Sequence, residues 1–169
     1  EQAGIEITVD CEPDLVVEGE RSLLITAVSN LISNAINYSP EATPVSVTAV
    51  KEDNDTVAIR VTDRGIGISQ ANQKRIFERF FRADKARSRA TGGTGLGLAI
   101  VKHVAANHKG TVKLWSRLGT GSTFTIELPL MEKNGSASND GDVSARLPIG
   151  HTQPAGKIAA KKNLSLIHI

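Results

Sequence analysis

The chain has 169 residues, of which 40% are hydrophobic and 22% charged, and its formal net charge is +2. This length suits one compact domain with a tail and excludes a large multidomain assembly. The single cysteine, Cys11, excludes an intrachain disulfide framework and a cysteine-based metal cluster, and it fits a reducing compartment. No apolar run approaches the roughly 20 residues of a membrane span, so we expect no signal peptide or membrane anchor and a cytoplasmic location.

Residues 1–130 alternate between the periodicities of strands and helices. In chain order, the predicted elements are a strand at 5–9, a helix at 21–37, a hairpin at 45–49 and 57–61, a short helix at 70–79, a helix at 96–107, and a second hairpin at 111–116 and 122–129. This order predicts an α/β fold, a two-layer sandwich in which helices cover one face of a mixed sheet.

Two segments lack such periodicity. Residues 82–94 are polar, basic and end in glycine, so we predict a long mobile loop of the kind that usually has a function. Residues 131–169 are rich in Gly, Ser, Asn, Ala and Pro, and we expect a disordered tail after a domain that ends near residue 130.

The first long helix carries three asparagines on one stripe. Asn30, Asn34 and Asn37 are spaced by four and three, so they lie within about 60° of one another beside the apolar face. Asparagine is a poor helix former, and amide oxygens suit Mg²⁺ when a substrate's phosphates supply the negative charge. Residues of the helix surface or of a cap would give the same pattern, and the sequence leaves both interpretations open.

A strand end and two glycine-rich segments are further candidates for a binding site. Asp63 is followed by Gly65 and Gly67, which would let the backbone approach a ligand while the carboxylate accepts a hydrogen bond from a fixed donor such as an exocyclic amine. The run GGTGLGL at 92–98 precedes a helix, where backbone N–H groups can bind phosphate. An Asp-initiated turn and a flexible hinge are the structural alternatives.

Positive charge is concentrated between residues 74 and 89. Seven basic residues there face two acidic ones, a local net charge of +5, and cations on a loop can neutralise a transferred phosphoryl group. The same stretch holds Ile76, Phe77, Phe80 and Phe81. We expect these apolar side chains to anchor the loop, with docking of a partner as the alternative.

Taken in order, these motifs resemble those of sensor histidine kinases. The matching segments are NLISNAINYS at 30–39 for the N box, DRGIGI at 63–68 for the G1 box, IFERFFR at 76–82 for the F box, GGTGLGLAIVKH at 92–103 for the G2 box, and GTGSTF at 119–124 for the last glycine box. The run from residue 82 to 108 further resembles actinobacterial phosphate-responsive sensor kinases.

The resemblance implies a Bergerat-type ATP-binding fold with a mobile lid, and it implies a role for each matching residue. Asn34 would bind Mg²⁺ with Asn30 beside it, Asp63 would accept from the adenine amine, and Arg82 would reach the γ-phosphate. The other residues that the resemblance places at the nucleotide are Asn37, Tyr38, Gly65, Gly67, Ile68, Gly93, Thr94, Gly95, Leu96, Gly97, Leu98 and Thr123. ATP and Mg²⁺ are the implied cofactors.

Two departures from the family pattern affect this interpretation. At Asn37 the family commonly has a Lys or Arg that contacts phosphate, so Arg82 or another cation must supply that charge. None of the four histidines has the His-Glu or His-Asp context of the family's phosphoacceptor. We therefore expect transfer to a histidine on a dimeric helical-hairpin domain that lies upstream in the parent chain, followed by transfer to a response regulator.

Three rival functions differ in chemistry. An ATPase of the gyrase, chaperone and mismatch-repair type would use a glutamate on the first helix, where this chain has Asn30. A regulatory module would bind nucleotide or a partner without catalysis. The basic loop would allow nucleic-acid binding, but the nearly balanced charge argues against it, and we expect membrane contact only through the parent protein.

Overall fold

The computed structural model describes residues 4–53, 55–83 and 93–131. The strands are β1 (Ile7–Cys11), β2 (Val45–Asp53), β3 (Thr56–Asp63), β4 (Thr111–Arg117) and β5 (Gly121–Pro129). The helices are α1 (Arg21–Tyr38), α2 (Gln70–Gln73) and α3 (Gly97–Asn107).

The strands form one five-stranded mixed sheet in the order β1-β2-β3-β5-β4. β1 runs parallel to β2, and the other neighbours are antiparallel. The helices α1 and α3 cover one face, which confirms the predicted α/β sandwich. The core between the two layers contains side chains that are fully buried, among them Leu31 of α1, Val101 of α3, and Val57 and Ile126 of the sheet. Burying each such side chain contributes about 1.5–3 kcal/mol to the free energy of folding.

Four of the predicted elements differ from the structure by two residues or more at one end. The hairpin strands predicted at 45–49 and 57–61 are longer in the structure, at Val45–Asp53 and Thr56–Asp63. The first strand lies at Ile7–Cys11 and not at 5–9, because its register is set by parallel pairing with β2. As an edge strand it leaves Val9 50% exposed, so its apolar alternation does not mark the segment that pairs.

The helix predicted for 70–79 ends at Gln73. The chain continues as turns, in which Arg75 N donates to Asn72 O at 2.8 Å and Glu78 N donates to Arg75 O at 2.9 Å. Phe80 has φ 63°, a left-handed conformation that a right-handed helix cannot include. The helix prediction was wrong beyond Gln73, where Ile76 and Phe77 anchor turns and do not form one face of a helix.

The predicted loop at 82–94 and the predicted tail at 131–169 lie mostly outside the described residues. At the domain end, Leu130 forms a bridge with Val17, and Met131 N donates to Val16 O at 2.8 Å. The chain is thus still attached to the domain at the last residue described.

Strand alternation determines which side chains face the helix layer. On β3 these are Val57, Ile59, Val61 and Asp63. On β5 they are Ser122, Phe124, Ile126 and Leu128. Asp63 pairs with Ser122 in the register, so the inward-facing row of each strand ends in a polar residue at the same end of the sheet.

Candidate functional site

A cavity of about 440 Å³ lies at this polar end of the sheet, between α1 and the start of α3. One face of α1 lines it through Asn30, Ser33, Asn34, Asn37 and Tyr38. From Asn30 to Tyr38 the helix rises by about 12 Å, at 1.5 Å per residue. The cavity is therefore elongated along α1 and has two chemically different ends.

At the Tyr38 end the cavity contains a buried carboxylate. Asp63 closes β3 and is only 7% exposed, and its Oδ1 accepts a hydrogen bond of 2.8 Å from Gly65 N. Burial raises the pKa of this carboxyl group above its ordinary value, although hydrogen bonds from the backbone of Gly65 and Ser122 oppose that rise. The remaining acceptor capacity of the carboxylate suits a ligand that offers an N–H group.

The glycines after Asp63 allow the chain to pass close to other backbone. A side chain at Gly65 would collide with the carbonyl oxygen of Tyr38, and one at Gly67 would collide with that of Arg117. Gly67 also has φ +73°, where glycine alone is unstrained. Gly65 lets the segment pass close to the end of α1, and Gly67 lets it lie against the end of β4. The segment brings Ile68 to the wall of the cavity.

At the Asn30 end the cavity meets the start of α3. Gly97 is the first residue of that helix, and the Cβ position it lacks is 3.7 Å from the side chain of Asn30. Among the described residues no side chain caps the helix, so N–H groups of its first turn stay available at the wall formed by Gly97 and Leu98. A helix N-terminus with this access favours an anion.

Two buried donors near this end have no partner among the described residues. They are Nδ2 of Asn30 and Nε of Arg82, and both residues line the cavity. Unpartnered buried donors cost free energy, and a ligand rich in oxygen atoms would provide acceptors for them.

The segment around Phe80 holds the glycine-rich run in place. Phe80 N donates to Gly95 O at 2.9 Å, and a Cβ atom at Gly95 would come within 2.9 Å of Phe80 backbone carbon. Ile76 is buried, and Phe77 packs edge-to-face on Phe124 with ring centroids 6.2 Å apart. Phe80 itself is 67% exposed, so the other apolar residues of the stretch form the anchor.

Most residues that the sequence predicted for the site line this one cavity. These are Asn30, Asn34, Asn37, Tyr38, Asp63, Gly67, Ile68, Arg82, Gly93, Thr94, Gly95, Gly97 and Leu98. Gly65 and Leu96 lie just outside the lining and shape it through the backbone. Thr123 faces the uncovered side of the sheet, where its Oγ1 lies 3.0 Å from Thr62 Oγ1, so the structure does not bring it to the cavity.

Sequence reasoning missed several residues of the lining. They include Ser33, Ile66, Ser69, Asn72, Leu118, Ser122 and Phe124. A period-two count along β5 could have found Ser122, because it shares its face with the apolar Phe124, Ile126 and Leu128, whereas Thr123 does not. Asn72 and Ser69 carry no such strand signal, since Asn72 lies in the short helix α2 and Ser69 is the N-cap of that helix.

The described residues contain no group of three or more His, Cys, Asp or Glu side chains that could hold a metal ion. Asn30 and Asn34 instead offer amide oxygens at the cavity wall. Within the described ranges, no helix has the length and apolarity needed to cross a membrane.

A mixed sheet under two long helices, with a glycine-bordered cavity between the helix layer and the sheet edge, defines an ATP-binding domain of the α/β-sandwich class. The profile of the family described as "Histidine kinase-, DNA gyrase B-, and HSP90-like ATPase" matches residues 19–132. The chain belongs to this family and is the ATP-binding catalytic domain of a sensor histidine kinase.

The similar proteins are sensor histidine kinases. The chain is 62% identical over 125 residues to the sensor-like histidine kinase SenX3 of Mycolicibacterium smegmatis, covering 74% of this chain and 32% of that protein. Among solved structures, the mycobacterial sensor histidine kinase MprB aligns with a TM-score of 0.67 and 34% identity, over 76% of this chain and 84% of that one. Full-length ShkA, solved in complex with AMPPNP, aligns with a TM-score of 0.65 and 33% identity, over 76% of this chain and 26% of that one.

The chain thus spans about a third of the length of SenX3, 32%, and between 20% and 24% of the length of other curated sensor histidine kinases that it matches. These comparisons confirm the predicted resemblance to sensor histidine kinases and the predicted ATP-binding fold.

Proposed function

We propose that the cavity binds ATP together with Mg²⁺, and that the domain transfers the γ-phosphoryl group to a histidine on a separate helical hairpin of the parent kinase. The observation that carries this proposal is that the two ends of the cavity, which are separated along α1, differ in chemistry. A buried acceptor, Asp63, lies at one end, and a helix N-terminus with unpartnered donors lies at the other. A nucleoside triphosphate has the matching order of an amine-bearing base at one end and phosphates at the other.

At the base end, Asp63 accepts a hydrogen bond from the adenine amine. The carboxylate is already oriented by Gly65 N, so it needs little rearrangement on binding. Tyr38, Gly67 and Ile68 surround the base. Because guanine and hypoxanthine carry a carbonyl oxygen where adenine has its amine, this carboxylate selects adenine.

At the phosphate end, the backbone N–H groups of α3 and of the run from Gly93 to Leu98 bind the phosphate oxygens. Arg82 lies in the same wall, and its unpartnered Nε donates to the γ-phosphate. The charge that the family's basic residue supplies at position 37 is absent here, and Arg82 compensates for it.

The side chains at this end also fit Mg²⁺. Asn30 and Asn34 stand one helical turn apart on the cavity face of α1. The Nδ2 donor of Asn30 is buried with no acceptor among the described residues. Neutral amide oxygens beside a polyphosphate match the ligand preference of Mg²⁺. When bound there, Mg²⁺ would neutralise charge on the phosphate oxygens.

In the transfer step, the bond from the terminal bridging oxygen to the γ-phosphorus breaks as a histidine nitrogen attacks that phosphorus, and ADP leaves. The residues of this chain hold the phosphates in line and stabilise their charge. Of the described residues that line the cavity, only Asp63 is a carboxylate, and it lies at the base end. The described residues thus place no carboxylate near the phosphates that could activate water, which favours a kinase over an ATP-hydrolysing enzyme.

The partners follow from this chemistry. The acceptor is a dimeric helical hairpin of the parent kinase, and a response regulator receives the phosphoryl group from it. A stimulus related to phosphate stays a prediction from the sequence resemblance.

The test supplies the acceptor as a separate polypeptide. The purified chain is first titrated with ATP and Mg²⁺ in a calorimeter. It is then mixed with the histidine-containing hairpin of a related sensor kinase and radiolabelled ATP. We expect an acid-labile phosphohistidine on the hairpin, and none with a hairpin whose histidine is replaced by glutamine. ATP binding without any phosphohistidine would refute the kinase proposal, and steady release of inorganic phosphate would favour hydrolysis.

A further inference from the structure

Ser116 lies on β4, outside every motif that the sequence analysis singled out, and its hydroxyl group has three partners. Its Oγ accepts a hydrogen bond of 2.8 Å from Ile68 N and donates to Gly121 O at 3.0 Å. The Oγ of Ser122 lies 2.9 Å away. Two of these partners belong to residues that line the cavity, namely Ile68 and Ser122.

The three contacts fix the direction of each proton. A backbone N–H can only donate and a carbonyl oxygen can only accept, so Ser116 gives its single proton to Gly121 and accepts from Ile68. The contact with Ser122 is then satisfied only when Ser122 donates its proton to Ser116. With its proton directed away, Ser122 offers the cavity a lone pair and no donor.

Ser122 lies beside Asp63, which it pairs with across β3 and β5. Its backbone donates a hydrogen bond to the Asp63 carboxylate, and its side chain is among the few buried polar ones, with 4% exposure. The base end of the cavity therefore holds two acceptors side by side. An exocyclic amine has two hydrogens, and a carbonyl oxygen at the same position of the base would meet acceptors only.

We propose that Ser116 is a positioning residue that sets base specificity by holding the Ser122 hydroxyl group as an acceptor. It also fixes the backbone of Ile68, whose carbonyl oxygen accepts from Gln73 Nε2 at 2.8 Å. The same amide donates to Ser116 O at 3.2 Å, so Ile68 is held on both sides. The inference rests on the proposed function, because it assumes that adenine lies at Asp63.

The experiment compares ATP with inosine triphosphate, in which a carbonyl oxygen replaces the amine. Dissociation constants of both nucleotides are measured by calorimetry with Mg²⁺ on the full chain. In Ser116→Ala the Ser122 hydroxyl loses its acceptor and turns its proton toward Asp63 or the base. We expect ATP binding to weaken roughly threefold to tenfold, as for the loss of one hydrogen bond. The affinity for inosine triphosphate should fall by a smaller factor than the affinity for ATP, so the preference for ATP decreases.

A double-substitution cycle shows whether Ser116 acts through Ser122. Ser122→Ala alone should lower the preference for ATP, and adding Ser116→Ala to it should not lower that preference further. Ser116→Thr keeps the hydroxyl group and should restore the preference. Thr111→Ala is the matched control, because it removes a hydroxyl hydrogen bond to Glu127 at the far end of the same strand. If Ser116→Ala does not fold, Ser116→Cys takes its place, because it fills the site with a slightly larger side chain whose thiol is a poor hydrogen-bonding group.

The outcomes separate the two proposals. Equal weakening of both nucleotides in Ser116→Ala would mean that the residue only supports the fold, and it would overturn the inference. Independent effects of Ser116 and Ser122 on the preference would overturn it as well. If the unsubstituted chain binds neither nucleotide, the proposed function itself fails. If it binds both equally, the placement of adenine at Asp63 fails, and the variants are not needed to show either result.

Discussion

Replacement of Asp63 by asparagine separates the binding role of this residue from its effect on folding. In the variant the side-chain oxygen can still accept from Gly65 N, which lies 2.8 Å from Oδ1 in the native chain. The new NH₂ group then faces the cavity, where it meets the amine of adenine. The lost charge-assisted hydrogen bond is worth about 1.5–3 kcal/mol, and the unsatisfied donors cost about 1–3 kcal/mol more. We expect a loss of about 2.5–6 kcal/mol, so that ATP binds between roughly sixtyfold and twenty-thousandfold more weakly.

The thermal stability of the ligand-free domain should not fall with the ATP affinity of Asp63→Asn, and it should stay the same or increase. Burial raises the pKa of Asp63, which means that the ionised carboxylate is disfavoured in the folded state of the ligand-free chain at neutral pH. This cost disappears as the pH falls through the raised folded-state pKa toward the unfolded value. Asp63→Asn should therefore unfold at the same temperature as the native chain or a higher one at pH 7, and this advantage should shrink as the pH falls.

Calorimetry with ATP and Mg²⁺ measures the affinity, and thermal unfolding without nucleotide measures the stability across pH 4 to 7 in roughly unit steps. Asp10→Asn is the control, because it makes the same chemical change on the exposed strand β1. Affinity of Asp63→Asn within about threefold of the native value would refute the assignment of Asp63 to the base. A lower unfolding temperature at every pH would refute the argument from burial.

The remaining predictions concern the phosphate end and the backbone. Asn34→Ala should weaken ATP binding when Mg²⁺ is present and leave ATP binding in excess EDTA unchanged. Titrations of the native chain and the variant under both conditions measure this. An equal loss of ATP affinity in both conditions would contradict the role of Asn34 toward Mg²⁺. Gly67→Ala should lower the free energy of unfolding by about 2–4 kcal/mol, because it combines a left-handed conformation with a collision at Arg117 O. Gly119 has φ +76° but lies in open space, so Gly119→Ala should cost only about 1 kcal/mol. Urea denaturation of both variants measures these costs. Similar costs at the two glycines would show that the close approach is not needed. Phe80→Gly should leave the unfolding temperature unchanged or raise it, since the side chain is 67% exposed and φ is 63°; a clear decrease would show that Phe80 belongs to the anchor.

The parts of the fold that the sequence predicted well are those with strong local periodicity. Helix α1 was predicted to within one residue, because its apolar stripe and the Ser39-Pro40 stop are both local signals. The segment after Gln73 was predicted wrongly as helix, because the spacing of its apolar side chains Ile76 and Phe77 fits turns as well as a helix. Whether that spacing becomes a helix depends on the contacts of Ile76 and Phe80 with distant parts of the chain.

The site was predictable as a set of motifs and not as a geometry. Asp63 and the asparagine stripe were found because each combines an unusual residue type with a regular position. The juxtaposition of Asn30 with Gly97 depends on the packing of α1 against α3, which no local pattern encodes. The hydrogen bond between Ser116 and Ile68 joins residues 48 positions apart, and it exists only because β4 pairs with the strand next to β3.

The two ends of the cavity also differ in how completely their polar groups are paired before a ligand binds. At the base end, Asp63 and Ser116 have partners in the backbone, so this end is preorganised by the sheet. At the phosphate end, Asn30 Nδ2 and Arg82 Nε are buried without partners in the described structure, and the N-terminus of α3 has no side-chain cap. Binding of the base therefore requires little reorganisation of the protein. At the other end, the phosphates supply acceptors to Asn30 Nδ2 and Arg82 Nε, whose burial without partners already costs the ligand-free domain free energy. It follows that ADP and ATP should differ in affinity mainly through Arg82, since only ATP brings a γ-phosphate to that donor.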